Sequence, residues 1–177
     1  MAKRRAGSVV GLAIALLVLA VPSGGEDFQG KVVRIVDGDT IEVLHSLRAE
    51  RIRLHGVDAP EKSQAFGSRA RQFTAGLVFG RIVTVREKGR DRYGRTLAQI
   101  ALPDGRILNR ELVANGFAWH YKRYSSDLSL ARLEEAARGE KKGLWVDAHP
   151  VAPWEFRRVE AQKKPGAAML RYGGRRF

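Results

Sequence analysis

Carboxylates and guanidiniums crowd three short segments of the chain: D-G-D-T at 37–40, R-I-R-L-H-G-V-D-A-P-E at 51–61, and D-R-Y-G-R at 91–95. Carboxylate oxygens can hold a hard cation or move a proton, and guanidiniums fork onto phosphoryl or carboxylate oxygens. Each segment also has a plain structural reading. Asp-Gly between apolar runs makes a hairpin, with Gly38 accepting the positive φ of a type I′ turn. D-A-P-E can cap a helix, and Y-G-R can be a basic loop. Their joint presence, in this order and where strands end, is harder to reach by chance. The chain has no cysteine, which removes disulfides, Cys-based zinc sites and a thiol nucleophile.

The elements that must position these residues follow from periodicity. Residues 30–36, about 40–46 and 50–57 alternate as strands and form a meander, turned at the D-G pair and again at Leu47 to Ala49. A helix starts at Gly67-Ser68, carries Ala70, Phe73, Thr74, Leu77 and Val78 on one face, and stops at Gly80. Residues 81–86 and 96–102 return to strand pattern across the polar run E-K-G-R-D-R-Y-G-R, with a further turn at Pro103-Asp104-Gly105. Asn109 caps a short helix closed by Gly116, and Ser126 or Asp127 caps another that Gly139 closes. Three strands, a helix, two strands and two helices predict an α+β fold: a five-stranded Greek-key barrel of OB type with about three packed helices, not a doubly wound sheet. Trp119 and Trp145 are expected to pack between helices and barrel. His120 and His149 are expected at the surface.

The formal charge of +13 and pI near 10.7 on 177 residues suggest a polyanionic partner. Residues 1–25 stand apart: Lys3, Arg4 and Arg5 precede an uncharged aliphatic stretch from Val9 to Val21. Thirteen helical residues reach about 20 Å, short of a hydrocarbon core of about 30 Å. A cleaved signal and a secreted or periplasmic protein are therefore expected, with a retained N-terminal membrane anchor as the alternative. Without Lys3, Arg4 and Arg5 the formal charge falls from +13 to +10, so the basicity belongs to the rest of the chain. Residues 27–149 read as the barrel domain. Residues 150–177 read as a basic, weakly structured tail whose start Trp154 and Phe156 dock.

The three motifs, as V-D-G-D-T, R-L-H-G-V-D-A-P-E and D-R-Y-G-R, together with E-L-V-A-N-G-F-A-W at 111–119 and E-E-A-A-R-G-E-K-K-G-L-W at 134–145, resemble the staphylococcal nuclease (thermonuclease) family from about Gly30 to Trp145. The resemblance implies an OB barrel and a calcium-dependent nuclease of low sequence specificity. Its substrates would be DNA and RNA, and cleavage of the 5′-side P–O bond would leave 3′-phosphates. Asp39 and Asp58 would be calcium carboxylates, joined by the main-chain carbonyl of Ala59. Glu61 would sit beside the metal's water, as general base or as the group that positions it. Arg53 and Arg95 would bind the scissile phosphate, and Tyr93, Tyr121 and Tyr124 would lie by the nucleotide. A monomer without a protein partner is expected.

The residue types suit that chemistry. Ca²⁺ takes oxygen ligands and needs neither His nor Cys. Arg matches phosphoryl oxygens better than Lys because its donors are planar and its charge permanent. An ordinary Glu titrates near ~4.3, ionised at neutral pH but weakly basic. His55, on the same strand face as Arg51 and Arg53, is the local rival for the base. Ala59 stands where the type enzyme has threonine, a small change if the ligand is a carbonyl. The segment between Glu61 and Ser68 is much shorter than the type enzyme's lysine-rich loop. The alternative function is a non-catalytic OB module that binds single strands through charge and stacking. Such a binder gains nothing from placing Asp39, Asp58 and Glu61 among arginines.

Overall fold

The computed structural model describes residues 27–163; the expected signal segment and the end of the tail lie outside the described residues. The meander forms as β1 (Phe28–Asp37), β2 (Thr40–His45) and β3 (Arg48–Leu54), followed by the short β4 (Val57–Asp58). After α1 (Gly67–Val78) come β5 (Ile82–Arg90), β6 (Thr96–Ala101), α2 (Leu108–Ala114), β7 (Trp119–His120), α3 (Leu128–Gly139), a 3₁₀ turn at Gly143–Val146 and α4 (Pro153–Gln162). Strands close a five-stranded barrel in the order β1-β2-β3-β6-β5. All neighbours are antiparallel except β3 and β6, where Ile52 pairs with Thr96. The alternation has a simple cause: Val32, Ile41, Val43, Ile52, Leu54, Val83, Val85 and Ile100 fill the barrel and are almost wholly buried. The α+β barrel of OB type is as expected, with four α-helices in place of about three.

Three local expectations change. The D-G turn is not type I′, because Gly38 has no positive φ. Gly38 is needed for clearance instead: a Cβ there would lie 2.8 Å from the Cβ atoms of both Ala59 and Ala70. Positive φ at both turn residues occurs one hairpin later, at Ser46 and Leu47. Asn109 does not cap α2 but lies inside it, fully buried. Its Oδ1 accepts from the Ile100 amide (3.1 Å), and its Nδ2 donates to the carbonyls of His55 (2.9 Å) and Ala98 (3.2 Å). His120 is buried rather than superficial, since β7 pairs it with Val57 beneath α3. Asp127 does cap α3, accepting from the Ser129 amide at 2.8 Å.

The stretch from 150, expected to be weakly structured, carries α4 over its described part. Pro153 at the first turn has its φ already set for a helix, and Glu155 complements the helix dipole there. Basic composition hid the anchors. Ala152 and Pro153 are buried, Trp154 stacks on Tyr121 with ring centroids 5.1 Å apart, and Gln64 Nε2 donates to the Val151 carbonyl at 2.6 Å. Among the described residues no helix is long and apolar enough to cross a membrane.

Candidate active site

The β1–β2 turn and the end of β3 meet at one rim of the barrel. The Leu54 amide donates to the Asp39 carbonyl at 2.9 Å, and Thr74 Oγ on α1 donates to the Gly38 carbonyl at 2.5 Å. The turn is thus held from both sides, and it drives the Asp39 side chain inward to 1% exposure. Asp58 reaches the same place from β4 and is fully buried, because its backbone partner Trp119 holds that short strand down. The Ala59 amide donates to Asp39 Oδ2 at 2.6 Å, which ties the D-A-P-E segment to the turn.

Arg53 lies between the two aspartates. Its Nη1 donates to Asp39 Oδ1 and its Nη2 to Asp58 Oδ1, the latter at 2.5 Å. Burial pushes the Asp39 carboxyl up to about 6, with Arg53 opposing the rise and Asp58 adding to it. Glu61 joins the cluster through a residue that sequence reasoning missed. Arg157 of α4 donates from Nη2 to Asp58 Oδ2 at 2.7 Å, and from Nη1 to Asp58 Oδ1 at 3.2 Å and Glu61 Oε1 at 2.6 Å. Burial alone would lower the guanidinium pKa, but Asp58 and Glu61 outweigh it and raise the value. The available signal was the spacing of Trp154 and Arg157 one helical turn apart, behind a helix-starting Pro153.

Three carboxylates and two guanidiniums leave one formal negative charge at this rim. The donors are all oxygens, as a hard divalent cation requires. Among the described residues no three His, Asp or Glu side chains converge as a ready metal cage. Asp39 and Asp58 would therefore need the Ala59 carbonyl and water to complete a shell. On donor chemistry the residues fit such an ion.

The other site residues have partners of their own. Arg95 enters β6 next to the Ile52–Thr96 pair, but its Nε donates to Asp91 Oδ2 at 2.7 Å and its amide to Asp91 Oδ1 at 3.0 Å. Burial tends to raise Asp91, yet the hydrogen bonds from Arg95 and from the Tyr93 amide hold its carboxyl below the usual range. Tyr93 is exposed on the β5–β6 loop, with the Arg95 guanidinium 5.6 Å from its ring centroid. Tyr121 and Tyr124 meet edge-on at 4.8 Å. Tyr121, Trp119 and Trp154 wall a cavity of about 310 Å³ into which Lys122 and Arg138 also face. His55 answers to other neighbours: burial and Lys88 lower its pKa while Asp127 opposes them.

Residues 51–147 match the family model described as staphylococcal nuclease homologue. The chain belongs to the staphylococcal nuclease family. It is 47% identical over 173 residues to Protein ParB of Escherichia coli, covering 92% of this chain and 98% of that one. To the micrococcal nuclease of Shigella flexneri it is 45% identical over 157 residues, covering 83% and 90% of the two chains. An uncharacterized endonuclease of Escherichia coli O157:H7 is 46% identical over 144 residues, 81% of this chain and 94% of its own.

Proposed function

We propose that this member of the staphylococcal nuclease family is an exported, calcium-dependent nuclease that hydrolyses phosphodiester bonds of DNA and RNA with low sequence specificity, leaving 3′-phosphates. One observation carries the reading: Asp39 and Asp58 meet on Arg53 at one rim of a basic barrel, and Arg157 bridges Asp58 to Glu61 there. A calcium ion held by Asp39, Asp58 and the Ala59 carbonyl would supply Lewis acidity and orient the attacking water. Glu61 positions that water or takes its proton as the water oxygen bonds to phosphorus. Arg53 and Arg95 stabilise charge on the phosphoryl oxygens. The P–O bond on the 5′ side breaks, its oxygen takes up a proton, and the phosphate stays with the 3′ end. Tyr93, Tyr121 and Tyr124 offer stacking faces to the bases, and the chain acts as a monomer.

Purified protein incubated with single-stranded DNA at millimolar Ca²⁺ should degrade it and stop when EDTA is added. Intact DNA under the same conditions, unaffected by EDTA, would leave the non-catalytic binding module as the reading. Sequencing the mature N-terminus of protein recovered from culture fluid or periplasm tests export; retention of residues 1–25 in the membrane fraction would contradict it.

A further inference from the structure

Arg157 lies beyond the residues that match the family model. Even so, its position is built rather than incidental. Trp154, one turn earlier on α4, stacks on Tyr121 with the ring planes 2° apart. Trp154 also meets Trp119 edge-on at 5.6 Å. Gln64, three residues after Glu61, holds the chain just before α4 through the Val151 carbonyl. These contacts fix the helix against β7 and the Glu61 segment. They deliver a guanidinium whose side chain remains 39% exposed onto Asp58, which is fully buried, and Glu61, at 34% exposure.

The donor count gives this placement its meaning. A guanidinium has five N–H donors in a planar fork. The end-on edge, Nη1 and Nη2, is engaged by Asp58 and Glu61. Among the described residues no acceptor takes the Nε–H or the second Nη2–H, which together form the side-on edge of the fork. That edge matches two oxygens of a phosphate. Arg53, by contrast, is 16% exposed and donates both Nη groups to buried carboxylates. Of the two guanidiniums in the cluster, Arg157 is the more open to a polyanion arriving from solvent.

We propose that Arg157 is a further catalytic residue of this site, docked on Asp58 and Glu61 by its end-on edge and binding the scissile phosphate of the nucleic-acid strand by its Nε/Nη2 edge. The inference rests on the nuclease reading above and extends it: the centre is completed by a helix outside the matched domain. A cation held in place before substrate arrives needs no reorganisation as charge develops on the phosphoryl oxygens. The fixed contact with Glu61 also sets the phosphate beside the group that handles the water.

The test compares the full chain with Arg157→Met, which keeps the packing stem, and Arg157→Lys, which keeps the charge. Three readouts are taken: kcat and KM on a single-stranded oligonucleotide at saturating Ca²⁺, the thermal midpoint in EDTA, and anisotropy of a labelled oligonucleotide in EDTA. Losing one preorganised donor predicts that kcat falls about 10² to 10³-fold in Arg157→Met. Arg157→Lys should recover about tenfold of that loss, with oligonucleotide binding weakened in Arg157→Met and the midpoint within a few degrees of the parent. Parental kcat and oligonucleotide binding in Arg157→Met would overturn the proposal. So would a loss of kcat that follows a fallen midpoint and is not relieved by lysine, since that pattern marks a structural clip. If the parent cleaves and Arg157→Met cleaves equally, this inference alone fails; if the parent does not cleave, the nuclease reading fails and this inference with it.

Discussion

Replacing Gly38 with alanine should unseat the turn that carries Asp39. The new Cβ would lie 2.8 Å from the Cβ of Ala59 on one side and 2.8 Å from the Cβ of Ala70 on the other. Carbon atoms in contact prefer about 3.5–4.0 Å, so roughly 1 Å must be found against two backbones. Overpacking of this kind costs about 1–3 kcal/mol. No φ strain adds to it, because Gly38 already lies outside the left-handed region. At about 4 °C per kcal/mol for a domain of this size, the thermal midpoint in EDTA should fall by about 4–12 °C. The gain in midpoint on adding Ca²⁺ should shrink as well, because the displaced turn moves a proposed ligand. Gly105→Ala serves as the contrast, with φ 84° and open space around it. Its cost of about 1–2 kcal/mol is all backbone strain, and the response to Ca²⁺ should be untouched. Adding Ala70→Gly to Gly38→Ala removes one of the two collisions, and should restore part of the midpoint even though glycine costs about 1 kcal/mol in a helix. The clearance argument is refuted if Gly38→Ala melts within about 1 °C of the parent with an unchanged response to Ca²⁺.

Because Asp39 protonates near 6 when folded and near 3.8 otherwise, the folded protein binds more protons between those values. Its stabilising contribution is complete below about pH 4 and is lost as pH rises through about 6, a change of about 3 kcal/mol. Denaturant titrations in EDTA across that window should show the decline, and Asp39→Asn should flatten it; a parallel decline in both proteins would be contrary. Arg95→Ala should lower turnover about 10² to 10³-fold while sparing the fold, as judged by circular dichroism; parental turnover would remove Arg95 from the chemistry. Asn109→Ala leaves the Ile100 amide and the carbonyls of His55 and Ala98 without their side-chain partner. At about 1–3 kcal/mol for an unsatisfied buried group, it should be among the more destabilising single changes, measurable by urea unfolding.

What could be read from the sequence was what alternates or repeats locally. The barrel strands show period-two burial, and Val32, Val43 and Ile52 sit where that pattern puts them. Asp127 was legible as a cap because capping is a contact with a near neighbour. Asp39, Arg53, Asp58 and Glu61 were legible as a group because two short motifs bring them close along the chain. The misreadings share a different origin. Gly38 answers to Ala70 on a helix, and Asn109 to His55 at the end of β3, neither of which leaves a local trace. His120 looked polar enough for the surface, yet its backbone belongs to a strand pair. Arg157 was lost in a run of cations whose composition pointed to a solvated tail. Its partners Asp58 and Glu61 are nearly a hundred positions away.

The order in which the chain can assemble follows from the barrel's closure. Turning β1, β2 and β3 needs only neighbouring residues, so Asp39 and Arg53 can approach one another early. Asp58 is fixed through Trp119, and the barrel closes only when Ile52 on β3 finds Thr96 and Phe28 on β1 finds Val85. Such distant pairings carry a loop-closure cost before they are rewarded, and β-rich domains of this kind fold in about milliseconds to seconds. A refolding chain should therefore gain hairpin structure before it gains affinity for a divalent ion. The ion-binding rim ripens in the slow, closing step, and α4 can dock only once β7 and the Glu61 segment are in place to receive it.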